Sequence, residues 1–178
     1  MKTETLHALR SGRLLLRKPR LSDWKVISHL RSDRDLNQFV QRPNADTREK
    51  AVNFIKSTNL KIENNDVLYW AISLSDTEEM IGSICLWNFS EDRKTAEVGY
   101  DLKAEFHKKG IMDEALKMVL NYGIKELGIR MIEAFTQRDN IASVRLLERN
   151  SFSLNEKRKD PENDKNLIYE KKTEDFPC

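Results

Sequence analysis

The sequence predicts an α/β fold, a mixed sheet of the α+β kind within one domain, and three observations favour it. Strand-like and helical patterns follow one another in the order β-α-α-β-β-β-α-β-α-β-β. A three-strand meander fills the middle of the chain, and a long amphipathic segment separates its last strand from the next one. Such a crossover allows these two strands to run parallel inside an otherwise antiparallel sheet. The 178 residues contain no repeat or Gly/Pro/Ser linker, so a single domain over residues 1–178 is expected.

The N-terminal third is predicted to supply one strand and two helices. Residues 13–17 form a short apolar run that stops before Pro19, which is typical of a strand. Ser22 and Asp23 are residue types that cap helices, so a first helix is expected to start there. A second helix is expected to start near residues 46–47.

The central region changes from helical to strand periodicity. Residues 69–74, 81–87 and 96–102 are apolar or alternating runs separated by polar turns, which indicates three antiparallel strands. Between residues 112 and 127 apolar residues recur at steps of three and four, as on one face of a helix. Gly128 is expected to end that helix.

The C-terminal third is predicted to add one strand, a short helix and a hairpin. The strand is expected at residues 130–136 and the helix at about residues 140–149. Residues 152–172 show the pattern of two strands. The charged segment between them, residues 159–165, is expected to be their turn.

The composition excludes several classes of function. The 31 Lys and Arg and 29 Asp and Glu residues leave a net charge of +2, which favours neither nucleic acid nor an anionic membrane as a partner. No apolar run approaches the roughly 18 residues of a membrane span, and the N-terminus lacks a signal-peptide core. Cys85 and Cys178 cannot form a disulfide framework, so a cytoplasmic location is expected. His7, His29 and His107 show no metal-ligand spacing, and no metal is expected.

The segment FHKKGIM, residues 106–112, lies between a predicted strand and a predicted helix. The first turn of a helix has free N–H groups and a partial positive charge, and it therefore attracts anions. Lys108 and Lys109 are unfavourable beside that charge unless an anion binds there. Gly110 would allow the backbone to approach phosphates closely. The alternative is a solvated loop whose lysines point outward.

Two segments carry a family resemblance. AEVGYDL at residues 96–102, followed by FHKKGIMDEAL at residues 106–116, closely resembles the strand-loop-helix core of the GNAT N-acetyltransferases. DNIASVRLLERNSF, at residues 139–152, resembles the second core motif of that family. The most similar branch is that of the ribosomal-protein N-terminal acetyltransferases, and the resemblance extends from residue 13 to about residue 172. The family loop is often written Gln/Arg-x-x-Gly-x-Gly/Ala, whereas this chain has His107 and Met112 at its two ends.

The resemblance implies an acetyltransferase that uses acetyl-CoA as cosubstrate in a ternary complex. It also implies that pantetheine inserts between the strand of residues 96–102 and the strand of residues 130–136. Ser143 matches the position that gives a proton or a hydrogen bond to the departing CoA thiolate, and Asn140 matches a pantetheine-binding asparagine. The alternative for both is a local role at the start of a helix. The further implied cofactor contacts are Tyr100, Asp101 and Leu102 through the main chain, and His107, Lys108, Lys109, Gly110, Ile111 and Met112 at the phosphates.

The acceptor is expected to be an amine, which must be neutral to attack the thioester. At pH 7 an α-amine is roughly 10–20% neutral, and a lysine is far less so. Glu97 is the best-placed general base, since it precedes the cofactor loop on the central strand, although a solvated or salt-bridged strand residue is the alternative. The acceptor is predicted to be a ribosomal-protein or other protein N-terminus, or else a small amine such as a polyamine or aminoglycoside. A non-catalytic CoA-binding domain is the competing hypothesis, and either a monomer or a homodimer is compatible with the sequence.

Overall fold

An eight-stranded sheet forms the centre of the computed structural model, which describes residues 6–173. The strand order is β1-β2-β3-β4-β5-β6-β8-β7. The strands are β1 (Leu9–Arg10), β2 (Leu14–Arg17), β3 (Leu68–Leu74), β4 (Met80–Trp87), β5 (Thr95–Leu102), β6 (Met131–Gln137), β7 (Ser153–Leu154) and β8 (Asn166–Lys172). The helices are α1 (Trp24–Ser32), α2 (Arg48–Glu63), α3 (Ile111–Lys125) and α4 (Ile141–Arg149), with short 3-10 turns at Leu21–Asp23 and Ala104–Phe106.

The pairing of the strands confirms the predicted mixed sheet. β2, β3, β4 and β5 form an antiparallel series, and β6, β8 and β7 form another. β5 and β6 pair in parallel because α3 carries the chain back across the sheet between them. The element order is therefore the predicted one, with the two-residue β1 added at the N-terminal edge.

One face of the sheet carries the main hydrophobic core. Helices α3 and α4 cover this face, and Leu116, Val119 and Leu147 are fully enclosed there against the strands. On β5, Ala96 and Val98 point into this core. Because side chains alternate along a strand, Glu97, Gly99 and Asp101 belong to the opposite face, as the sequence predicts.

Helices α1 and α2 cover part of that opposite face. A second, smaller cluster that includes Ile27, Ile55 and Ala71 packs them onto β3. Thr47 caps α2 by accepting a hydrogen bond from the Lys50 N–H at 3.2 Å. α1 packs against β4, and α2 packs against β3.

Two local expectations differ from the structure. Asp23 does not cap α1 with its side chain, because its carboxylate forms a buried salt bridge of 2.8 Å with Arg17 and accepts the Arg20 N–H at 2.7 Å. α3 ends at Lys125, three residues before Gly128, whose φ of +67° turns the chain toward β6. Within residues 6–173 no helix is long and apolar enough to cross a membrane. Cys178 lies outside the described residues.

Candidate active site

β5 and β6 separate in the middle of the sheet. They pair at three positions only, Thr95 with Met131, Ala96 with Ile132 and Glu97 with Glu133. Beyond Glu97, β5 continues to pair with β4, and beyond Glu133, β6 continues to pair with β8. The backbone of residues 98–102 therefore offers N–H and C=O groups to an open gap on its β6 side. We call this opening the β5–β6 gap.

The loop that follows β5 lies at the open end of the gap and leads into α3. His107 donates a hydrogen bond from Nε2 to the Leu102 carbonyl at 2.8 Å, which ties the start of the loop to the end of the strand. Lys108 and Gly110 both have positive φ, +58° and +73°, so the backbone makes two left-handed steps before α3 begins. Only Gly110 adopts such a step without steric cost.

The same loop presents unused hydrogen-bond donors. In the described part of the chain, the His107 N–H bonds to Ala104 and the Glu114 N–H bonds to Gly110. The six N–H groups between them, at residues 108–113, have no such partner, as expected at a helix N-terminus. Together with the exposed lysines, they form a concentrated positive potential that suits a diphosphate.

Helix α4 begins beside the gap. Its N-cap is Asn140, whose side-chain oxygen accepts a hydrogen bond from the Ser143 N–H at 3.2 Å. Ser143 in turn shares a hydrogen bond of 2.8 Å with the hydroxyl of Tyr100 on β5. The structure thus brings together a helix residue and a strand residue that lie 43 positions apart. Asn140 makes the local cap contact that its residue type favours.

Glu97 lies where the gap closes, on the face opposite the main core. Burial raises its pKa to about 7, while a 3.5 Å hydrogen bond from Asn88 opposes the rise. The negative charges of Glu133, Asp160 and Glu162 raise the pKa further. A carboxyl group with a pKa near neutrality can accept and release a proton under physiological conditions.

The hairpin between β7 and β8 folds over this acidic region. Arg158 bonds to Glu133 and, at 2.8 Å, to Glu170, so it holds the hairpin against β6 and β8. The chain between α1 and α2 approaches from the other side, where Gln137 donates to the Phe39 carbonyl at 3.2 Å. A polar cleft of about 550 Å³ lies between the two segments and is lined by Asp160, Glu162 and residues of both.

Asp101 is held by two side chains on the same face. Arg42 donates to one carboxylate oxygen at 2.8 Å, and Ser83 donates to the other at 2.6 Å. Arg42 also bonds to the Leu30 carbonyl at 2.7 Å, so it anchors the α1–α2 connection to β5. The family resemblance implies only a main-chain contact for Asp101, and no sequence pattern predicts a role for Arg42.

The predicted residues thus fall into three groups around the gap. Tyr100, Ser143 and Asn140 lie on the side of the main core, and Glu97 lies on the other side. The loop residues 107–112 cluster at the open end of the gap. Ile111 is buried there and is the first residue of α3. No cluster of three or more His, Cys, Asp or Glu residues suited to a metal occurs among residues 6–173.

Comparison with known proteins identifies the family. The family model for the acetyltransferase (GNAT) domain matches residues 13–153. The uncharacterized N-acetyltransferase YoaA of Bacillus subtilis is 29% identical over 144 residues, which cover 81% of each chain. The chain belongs to the GNAT acetyltransferase family. It is an N-acetyltransferase, and acetyl-CoA is its cosubstrate.

Solved structures share the fold at low sequence identity. The ribosomal-protein-S5-alanine acetyltransferase of Vibrio fischeri has a TM-score of 0.80 at 19% identity, covering 97% of this chain and 100% of its own. RimL, a ribosomal L7/L12 α-N-protein acetyltransferase solved in complex with coenzyme A, has a TM-score of 0.79 at 21% identity, covering 93% of this chain and 98% of its own. At these identities the likeness establishes the fold.

Proposed function

We propose that the protein transfers the acetyl group of acetyl-CoA to an α-amine, such as the N-terminus of a ribosomal or other protein, with Glu97 as the general base. The observation that carries this proposal is the position of Glu97 at the closed end of the β5–β6 gap. Residues 98–102 span about 13 Å of strand between that point and the loop. A pantetheine arm lying in the gap would therefore carry the thioester from the phosphate-binding loop to Glu97.

Each part of the gap has a role in this proposal. The N–H groups of residues 108–113 and the charges of Lys108 and Lys109 bind the diphosphate. The free backbone groups of residues 98–102 pair with pantetheine amides and give one N–H to the thioester carbonyl, and Asn140 adds a polar contact. Ser143 donates to the departing sulfur.

The pKa of Glu97 bears on which amine is the acceptor. A protonated α-amine has a pKa of about 8, close to the value of about 7 for Glu97, so moving its proton to Glu97 is unfavourable by only about tenfold. A lysine or polyamine ammonium, with a pKa of about 10.4, would make the same transfer unfavourable by more than a thousandfold. Glu97 is therefore matched to an α-amine. The names of two structural neighbours, a ribosomal-protein-S5-alanine acetyltransferase and a ribosomal L7/L12 α-N-protein acetyltransferase, agree with this choice.

A second candidate acceptor is a small polycationic amine. Asp160 and Glu162 line the cleft beside Glu97 and carry negative charge toward it. A polyamine or aminoglycoside would be attracted there by several charges at once. Under either acceptor, we propose a single-domain cytoplasmic enzyme that acts as a monomer or homodimer.

Acceptor profiling tests the proposal directly. Thiol release from acetyl-CoA is measured with a peptide that has a free N-terminus, the same peptide with a blocked N-terminus and a free lysine, and spermidine. We expect release with the first peptide only. Activity on spermidine that falls in an Asp160→Asn/Glu162→Gln double variant would instead support the polycationic acceptor.

A binding measurement separates the enzyme from a non-catalytic domain. Acetyl-CoA should raise the melting temperature of the protein whether or not it catalyses transfer. A clear shift without thiol release for any amine would support the CoA-binding domain. The absence of any shift at millimolar acetyl-CoA would contradict both.

A further inference from the structure

The hydrogen bond between Tyr100 and Ser143 spans the β5–β6 gap on the side of the main core. Tyr100 lies in the middle of the stretch of β5 that has no partner in β6, and Ser143 lies in the first turn of α4. Their oxygens are 2.8 Å apart, a good distance for a bond between two hydroxyls. In the described part of the chain each hydroxyl has the other as its one side-chain partner.

Burial fixes the protonation state of the tyrosine. It raises the pKa of Tyr100 to about 12, with the bond to Ser143 opposing the rise, so the phenol stays protonated at any physiological pH. Tyr100 can then donate one hydrogen bond but cannot act as a source of negative charge. A serine hydroxyl that accepts this bond keeps its own proton free to point elsewhere.

The backbone of α4 restrains the serine as well. The Ser143 N–H donates a hydrogen bond to the Asn140 side chain at 3.2 Å, which fixes the backbone of Ser143 in the first turn of α4. The Tyr100 bond then selects the direction of the hydroxyl. The two contacts hold Ser143 in one orientation beside the gap.

We propose that Tyr100 is a positioning residue for the leaving-group step, and that its hydroxyl donates to Ser143 Oγ so that the serine proton points at the thioester sulfur. This inference rests on the proposed role of Ser143. It assigns Tyr100 a side-chain function, whereas the sequence resemblance implies only a main-chain contact there.

The step balances without any further reactant. The neutral amine forms a C–N bond to the carbonyl carbon and gives its proton to Glu97, and the C–S bond breaks with its electron pair going to sulfur. Ser143 donates a hydrogen bond to that sulfur, while Tyr100 donates to Ser143 and strengthens its donation. Neither hydroxyl loses its proton, and Glu97 later releases the proton it accepted to water.

A pair of Tyr→Phe variants tests the proposal. Tyr100→Phe should lower kcat about fivefold, as expected for one lost hydrogen bond, and leave the KM for acetyl-CoA unchanged. Tyr169→Phe is the matched control, because the Tyr169 hydroxyl also bonds to α4, at Glu148 with a distance of 3.4 Å, but away from the gap. We expect Tyr169→Phe to keep full kcat. Equal losses of kcat in both variants would overturn the proposal, since they would show a general effect on α4.

A double-mutant cycle tests whether Tyr100 acts through Ser143. Ser143→Ala should lower kcat tenfold or more, and adding Tyr100→Phe to it should cost less than a further twofold. Fully additive losses, or a larger loss for Tyr100→Phe than for Ser143→Ala, would overturn the positioning role. If Ser143→Ala leaves kcat unchanged, the role of Ser143 is wrong and this inference is wrong with it. Thiol release by the unaltered protein is the separate measure of the proposed activity.

Discussion

Glu97 and Glu133 face each other as the last paired residues of β5 and β6, and their side chains lie on the same face of the sheet. The two carboxyl groups differ in their partners. Glu133 is buried and bonds to Arg158, whereas within residues 6–173 Glu97 has only the 3.5 Å bond from Asn88. Burial is the main cause of the raised pKa of Glu97, and the negative charge of Glu133 adds to it, although Arg158 pairs with Glu133.

This relationship predicts the pH dependence of catalysis. Since a general base must be unprotonated, kcat should rise as the pH passes through about 7, the pKa of Glu97. Glu97→Gln should lower kcat by about a hundredfold and remove that rise. Rate profiles from pH 5.5 to 9 check this, with Glu91→Gln in the exposed β4–β5 turn as control. An unchanged profile in Glu97→Gln would exclude Glu97 as the base.

The same group predicts a change in stability with pH. The folded state holds the Glu97 proton up to a pH of about 7, whereas the unfolded chain releases it near 4.5. Its contribution to the free energy of unfolding is therefore complete below pH 4.5 and is lost as the pH rises through 7. Relative to the unaltered protein, Glu97→Gln should gain stability from pH 5 to pH 8. Urea unfolding at the two pH values measures the gain, and no relative gain would contradict the raised pKa.

Gly110 predicts a specific loss of cosubstrate binding. Gly110→Ala places a Cβ on a left-handed residue beside the phosphate-binding N–H groups, which costs about 1–2 kcal/mol of stability and weakens acetyl-CoA binding. Calorimetric titration measures the change in Kd. Gly128→Ala is the control because Gly128 has nearly the same φ, +67° against +73°, but lies at the far end of α3. Equal effects of both variants on Kd would show that the loop has no special role.

Two substitutions of Asn140 should separate its role as the N-cap of α4 from its proposed role in binding acetyl-CoA. Asn140→Ser retains a residue that favours the N-cap, so the free energy of unfolding and the melting temperature should change little. Asn140→Ala should lower the free energy of unfolding by about 1 kcal/mol. Both variants remove the amide and should weaken acetyl-CoA binding. If Asn140→Ser binds acetyl-CoA as well as the unaltered protein does, Asn140 only caps α4 and does not contact the cosubstrate.

The Arg17–Asp23 pair predicts a large effect on folding. Both side chains are 7% exposed, and Asp23→Ala leaves a buried guanidinium without its carboxylate partner. The expected loss is about 3–5 kcal/mol of unfolding free energy. Glu63→Ala breaks the exposed Lys18–Glu63 pair and should cost less than about 1 kcal/mol. Chemical denaturation compares the two, and similar losses would contradict the assigned burial effect.

Periodicity predicts most of the fold because each central strand and each of the longer helices has a local apolar pattern. The alternation that separates Glu97, Gly99 and Asp101 from Val98 is such a local property, and the structure agrees with it. The two-residue β1 is too short to leave a pattern. The residue type of Asp23 predicts a cap for α1, but the buried Arg17 binds the Asp23 carboxylate instead.

The candidate site is less predictable, because its contacts join distant parts of the chain. Arg42 bonds to Asp101 across 59 positions, and Tyr100 bonds to Ser143 across 43. The position of Asp160 and Glu162 near Glu97 depends on the pairing of β8 with β6. No spacing in the sequence encodes these pairings. They follow from strand order and register, which only the assembled sheet defines.

The separation of β5 from β6 also has a mechanical consequence. Among the described residues, the strand ladder between the five-stranded half-sheet and the three-stranded one has three residue pairs, while each half contains longer ladders of its own. Hydrogen bonds near this seam should therefore open more often than those within either half. A ligand that fills the seam would act as an additional strand and link the halves. Without the ligand, the protein would then begin to unfold by opening between β5 and β6. With the ligand bound, it would unfold as one cooperative unit.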